Sequence, residues 1–147
     1  MRAVVQRVNF ASVSVNGEVI SQIDKGLLVF LGINKEDTKE VAEKLARKVA
    51  GIRIFSDAND KMSLSVSDVG GKILLVSNFT LYGNVKHGYR PEFLRSAGAA
   101  VAEPLYEYVM SLINNTVECK GGAFGEDMLV VANNDGPVTV IVDTDEM

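Results

Sequence analysis

Two short segments carry side chains that could do chemistry. Ser77-Asn78-Phe79-Thr80-Leu81-Tyr82 puts a hydroxyl, an amide, an aromatic ring and a second hydroxyl in series after the apolar run Ile73 to Val76. Strand ends are where a rigid scaffold presents functional groups. Asn133-Asn134-Asp135-Gly136-Pro137-Val138-Thr139 is the second, and its composition predicts a turn between two strands. A Gly-Pro bond tolerates cis geometry far better than other bonds, so Gly136-Pro137 could aim its carbonyls in an unusual direction. By composition alone, the first segment reads rather as a sheet edge of mixed exposure, and the second as a turn that need do nothing more.

Much other chemistry is excluded. The chain has one histidine, His87, and one cysteine, Cys119, too few for a zinc site built from those ligands. A Ser-His-Asp triad could use only His87, which lies in a glycine-flanked loop with no G-x-S-x-G elbow nearby. Cys119 sits in an alternating segment and reads as a small core residue. Gly121-Gly122-Ala123-Phe124-Gly125 lacks the Walker lysine and the spacing of a dinucleotide fingerprint, so it reads as a flexible turn. We therefore expect neither metal nor cofactor. The chemistry must come from backbone groups, hydroxyls, amides or the substrate itself.

The elements that position these segments follow from periodicity. Ala11 to Val15, Asn16-Gly17 and Glu18 to Ile23 predict a hairpin. Gly26 to Ile33 is continuously apolar, as expected of a strand buried on both faces. Asp37 with Glu40 suggests a capping box, followed by Val41, Ala42, Leu45, Ala46 and Val49 at helical spacing, with Gly51 at the end. A short strand over 52–55, a turn at Asp57 to Asp60 and a strand over 72–80 come next. A second helix is expected to start near Glu103-Pro104, with Leu105, Val109, Leu112 and Ile113 as its buried stripe. Strands over 116–120, 128–132 and 138–142 complete the chain. The expected class is α/β: mixed β-sheet layers with helices packed on one side, a β/β/α three-layer arrangement.

The 147 residues fit one domain spanning 1–147. At 47% apolar and 23% charged residues the balance is globular. One cysteine suits a reducing compartment, the start lacks a signal-peptide pattern, and Gly26 to Ile33 is too short to span a bilayer as a helix. The cytoplasm is the expected location. The net charge of -4 argues against broad charge-driven binding of nucleic acid, but it allows local contact with an RNA end. Lys86 to Arg95 is a locally basic segment that reads either as such a contact or as a solvated loop.

Taken together and in order, Ser77-Asn78-Phe79-Thr80-Leu81 and Asn134-Asp135-Gly136-Pro137-Val138-Thr139 resemble the D-aminoacyl-tRNA deacylase family. The likeness runs over nearly the whole chain. It includes Met1 to Val8, Gly26 to Val29, Leu45 to Lys48, Ile52 to Phe55, Arg90-Pro91 with Phe93, Ala102 to Tyr106, and Phe124 to Met128. The family usually carries Gln where Asn78 stands.

The resemblance implies a homodimer acting on the aminoacylated 3′ end of tRNA, with its active site at the interface. Gly136-Pro137 of one subunit, joined by a cis bond, would reach the partner's pocket, which Ser77, Asn78, Phe79 and Thr80 line. Phe124 and Met128 would lie near the terminal adenosine, where stacking and apolar contact suit a base. The implied mechanism is attack by water, helped by the substrate 2′-hydroxyl and by backbone N–H donors around Phe79 and Thr80. Carbonyls of Gly136 and Pro137 would hold the substrate ammonium so that an L side chain clashes, while many D side chains and glycine fit. Two rivals remain open from the residues alone: an RNA-end binding module without turnover, and an esterase using Thr80 or Ser77 as nucleophile.

Overall fold

Asn16 and Gly17 lie at φ 51° and 82°, the left-handed values that a two-residue hairpin turn needs. They join β1 (Arg2–Val15) to β2 (Glu18–Ile23). The computed structural model describes residues 1–147. β3 (Gly26–Gly32) is buried except at Phe30 and lies between β1, antiparallel to it, and β6 (Lys72–Ser77), parallel to it. β7 (Cys119–Gly121) extends the parallel group. β8 (Leu129–Asp143) pairs along the length of β1. The short strands β4 (Phe55–Ser56) and β5 (Met62–Leu64) form a separate ribbon.

Alternation along β3 and β6 divides the interior in two. Leu27, Val29, Leu31, Ile73 and Leu75 face the helices α1 (Lys39–Gly51) and α2 (Ala99–Asn114), whereas Leu28, Leu74 and Val76 face a second core with Val8, Ala11, Val13 and Ile23. Ala3 and Val5 of β1 belong to the first core, and Val8, Ala11 and Val13 to the second. The switch coincides with register shifts against β8 between Gln6 and Phe10. There the sheet folds over, so that its far half covers the face of β3 and β6 that the helices leave open. The expected layers, with helices on one side only, are the ones observed. No helix is long and apolar enough to cross a membrane.

Several local expectations need correction. Thr38, not Asp37, caps α1, its hydroxyl accepting from Val41 N at 3.4 Å. The Asp37 carboxylate instead accepts from the α-ammonium of Met1 at 2.9 Å and from Asn34 N at 2.7 Å. α2 starts at Ala99, ahead of Glu103-Pro104, and carries Pro104 inside. That proline leaves the Ala100 carbonyl without its helical donor, and both residues are exposed to water. The strand expected at 52–55 is reduced to Phe55–Ser56, and that at 116–120 shifts to Cys119–Gly121. The strand expected to reach Thr80 stops at Ser77 and gives way to a 3-10 turn, Phe79–Tyr82.

The largest correction concerns Asn133 to Thr139. The segment does not reverse the chain. Gln6 pairs with Thr139 and Val8 with Asn134, so two steps on β1 face five on β8. The extra residues form a bulge inside one continuous strand.

Candidate active site

All three parallel strands, β3, β6 and β7, end at the same edge of the sheet, and a cavity of about 670 Å³ opens there. Carboxyl ends of parallel strands are where open α/β sheets bind ligands. Phe30, Val76, Met128 and Val130 form its apolar floor. Residues Ser77 to Thr80 make one rim, Phe124 to Asp127 the other, and Ile33, Ala97 and Ala102 a wall toward the helices. Six of the eight site residues singled out from sequence therefore meet in one cavity: Ser77, Asn78, Phe79, Thr80, Phe124 and Met128.

The first rim is fixed by close packing. Asn78 N donates to Leu31 O at 2.8 Å, tying the rim to β3. Ser96 Oγ donates to Phe79 O at 2.9 Å, and the Phe79 ring meets Phe93 edge-on at 5.1 Å. Gly32 lies beneath the turn: a Cβ there would meet Leu81 Cβ at 2.9 Å. Phe79 and Thr80 are the first residues of the 3-10 turn, and no side chain caps it. Their N–H groups precede the first intrahelical bond and are free to donate. The Thr80 hydroxyl donates to Asn78 Oδ1 at 2.5 Å. An amide oxygen is an acceptor but not a base that could ionise a hydroxyl.

The second rim leans on α2. Phe124 packs on Tyr106 with ring centroids 5.9 Å apart, and Tyr106 OH donates to Leu75 O at 2.7 Å. Burial pushes the Tyr106 hydroxyl up to about 12, against a lowering hydrogen bond from the Gly122 backbone. A folded value above the ordinary 10.0 means the folded chain holds this proton more tightly. That stabilisation is complete below pH 10 and is lost as pH rises toward 12, on the order of 2 kcal/mol in all. Urea midpoints measured at pH 8, 10 and 11 should fall faster for wild type than for Tyr106→Phe. Parallel curves would contradict this.

The remaining two residues lie elsewhere. Gly136 and Pro137 are exposed on the bulge of β8, outside the cavity of their own chain. Their bond is cis. Asn134 Nδ2 donates across the bulge to Arg7 O at 3.1 Å and to Val138 O at 3.0 Å. Arg7 Nε contacts both Asp135 O and the Asp135 carboxylate at 3.2 Å, while Nη1 donates to Ile54 O at 2.9 Å. Nothing in the sequence around Arg7 signals this role, because its partners Ile54 and Asp135 lie far along the chain.

His87 lies outside the cavity lining in an exposed loop. Cys119 is buried, and burial raises its thiol to about 12, which keeps it protonated at neutral pH.

Residues 4–143 match the family model of D-Tyr-tRNA(Tyr) deacylase. The chain belongs to that family. The D-aminoacyl-tRNA deacylase of Koribacter versatilis (strain Ellin345) is 50% identical over 145 residues, covering 98% of this chain and 97% of the relative. That of Thermosipho melanesiensis (strain DSM 12029 / CIP 104789 / BI429) is 49% identical over 146 residues, with coverage of 98% and 97%. Among solved structures, a c-Myc DNA Unwinding Element Binding Protein superposes with a TM-score of 0.92 at 42% identity, covering 97% of this chain and 98% of that one. The deacylase family thus accounts for the whole frame that holds both rims and the bulge.

Proposed function

We propose that this hydrolase, a D-aminoacyl-tRNA deacylase, builds its active site from two copies of the chain and reads handedness with main-chain groups. The observation that carries the reading is a separation. The cavity holds the Ser77 to Thr80 rim, while the braced Gly136-Pro137 bulge projects from a different edge of the same chain. A second copy can bring them together. β8 is suited to that contact: β1 is its sole strand partner, and Leu129 and Ile141 are 67% and 68% exposed. A long unprotected edge of this kind is normally covered. The proposed setting is the cytoplasm, where the substrate tRNA is.

In the composite site, carbonyls of Gly136 and Pro137 from one subunit accept from the substrate ammonium. The ester carbonyl oxygen lies against the N–H groups of Phe79 and Thr80. Water, assisted by the ribose 2′-hydroxyl, attacks the carbonyl carbon. The developing oxyanion is held by the two N–H donors, the bond to the ribose oxygen breaks, and that oxygen takes a proton. Phe124 and Met128 offer the terminal adenine a ring and a soft apolar contact. An L side chain points into the bulge's peptide wall and is refused, and a D side chain points outward. Main-chain contacts do not read side-chain identity, so many D-amino acids, and glycine, are substrates.

The direct test is release of tyrosine from D-tyrosyl-tRNA and L-tyrosyl-tRNA, with release from the D ester alone as the expected result. Equal release from both, or from neither, would sink the proposal. Thr80→Ala should retain activity to within about tenfold, since its hydroxyl supplies no nucleophile in this scheme. Abolished turnover, with a covalent adduct on the wild-type chain by mass spectrometry, would favour the esterase reading instead. Gly32→Ala should lower kcat by roughly one order of magnitude through displacement of the turn above it. An unchanged kcat would show that the turn tolerates movement.

A further inference from the structure

The cavity that would take the aminoacylated end is poorly provided with positive charge. Its lining includes Glu126 and Asp127 and no lysine or arginine. The chain as a whole is acidic, with 19 Asp and Glu against 15 Lys and Arg. Yet the proposed substrate is a polyanion, and affinity for such a chain comes mainly from cations set against phosphates. Those cations must be concentrated somewhere.

They are concentrated at the carboxyl end of α1. Lys44, Arg47, Lys48 and Arg53 are four of the seven residues lining a cleft of about 500 Å³. Lys44, Arg47 and Lys48 are spaced three and four apart, so they share one helix face. Arg53 follows from the segment after the helix. All four are exposed, and none takes part in any of the five ion pairs of the chain. Favourable interaction with the negative end of the helix dipole would account for Lys48 in the last turn. It does not account for Lys44, which lies a turn further back. Arg53, beyond the helix, is held at the cleft by donating Nε to Ser63 O at 2.6 Å while keeping its charge unpaired.

The position of the cleft relative to the bulge decides what it faces. Arg7 links the Asp135 carbonyl and carboxylate at one end to the Ile54 carbonyl at the other. Ile54 is the residue after Arg53. The Gly136-Pro137 bulge and the cationic cleft therefore lie on one edge of the molecule, joined by a single side chain. In the two-copy arrangement proposed above, the subunit that lends the bulge carries the cleft on that same edge.

We propose that this cleft grips backbone phosphates of the tRNA whose aminoacylated end occupies the partner subunit's cavity. This rests on the two-copy site proposed above. One subunit then supplies the pocket, and the other supplies both the stereochemical wall and the cations. The basic loop holding Lys86 and Arg90 is a competing place for phosphate contact, and the experiment includes it.

The test compares two esters with the same reacting end. D-tyrosyl-tRNA carries phosphates, and D-tyrosyl-adenosine carries none. In the variant Lys44→Gln/Arg47→Gln/Lys48→Gln, KM for D-tyrosyl-tRNA should rise at least tenfold with kcat unchanged. The salt dependence of log(kcat/KM) should become shallower by about two to three. Turnover of D-tyrosyl-adenosine should be unchanged, which also reports that the variant is folded. The charge-reversed variant Lys44→Glu/Arg47→Glu/Lys48→Glu should show a larger rise in KM. An unchanged KM for the tRNA ester, or equal losses on both esters, overturns the assignment. So does a loss confined to Lys86→Gln/Arg90→Gln. Wild-type protein that cleaves neither ester would instead overturn the deacylase mechanism on which the assignment stands.

Discussion

Gly136→Ala should lower turnover of D-tyrosyl-tRNA by about a hundredfold or more and narrow the preference for D over L esters. Gly136 has φ +128°, a region that side-chain-bearing residues rarely enter. An added Cβ would also meet Val138 Cγ2 at 2.7 Å and Val138 N at 2.8 Å. The bulge must therefore move, and its carbonyls move with it. The expected stability cost is about 1–3 kcal/mol, which leaves a folded chain because the bulge is exposed and both cores lie elsewhere. Single-turnover assays on the two esters, with a urea titration as control, separate the effects. A variant with reduced rate and undiminished stereoselectivity would show that the bulge does not refuse L side chains.

Phe79→Pro should lower kcat by a further factor of about 10²–10³ relative to Phe79→Ala. The two variants lose the same ring, but only the first loses the N–H assigned to the oxyanion. Proline is tolerated in the first position of a helical turn, where the N–H has no intrahelical partner. Asn78, the residue before it, has extended rather than helical backbone at φ -144° and ψ 92°, so it avoids the α region that a following proline disfavours. The substitution therefore removes one donor with little disturbance of the turn. Equal kcat in the two variants would remove the Phe79 N–H from the mechanism.

The contrast between these two sites shows what a sequence can carry. The Ser77 to Thr80 segment stands out because hydroxyl and amide residues following Ile73 to Val76 conflict with a buried strand. On its own it reads as a sheet edge, and only its pairing with the Asn134 to Thr139 motif marks it as a candidate site. The hairpin at Asn16-Gly17 and the doubly buried β3 were legible because turn chemistry and apolar runs are local signals. The bulge was misread as a chain reversal. Asn, Asp, Gly and Pro report only that the backbone departs from regular geometry, whereas whether the chain reverses is decided by β1, which continues to pair on both sides.

Other misreadings have the same origin. Asp37 looks like a cap from its neighbours, but Met1 and Asn34 claim its carboxylate. α2 begins after Gly98 without a side-chain cap, so no residue announces its start. The cavity itself joins Phe30, Ser77 to Thr80, Ala102 and Phe124 to Met128, segments brought together by parallel pairing. No periodicity in any one of them reveals the others. The cationic cleft was divided in the same way, between a helix face and Arg53.

Mixing two impaired proteins shows whether the cavity and the bulge meet across subunits. Gly136→Ala keeps a sound cavity and has a damaged bulge, and Phe79→Pro has the reverse. After unfolding and refolding together in equal amounts, half the dimers are mixed, and each has one sound cavity facing one sound bulge. Turnover of D-tyrosyl-tRNA should then recover to about a quarter of the wild-type rate, with the preference for the D ester restored. If the mixture shows no more than the sum of the two variants alone, the cavity and the bulge do not meet across subunits, and the two-copy site is wrong.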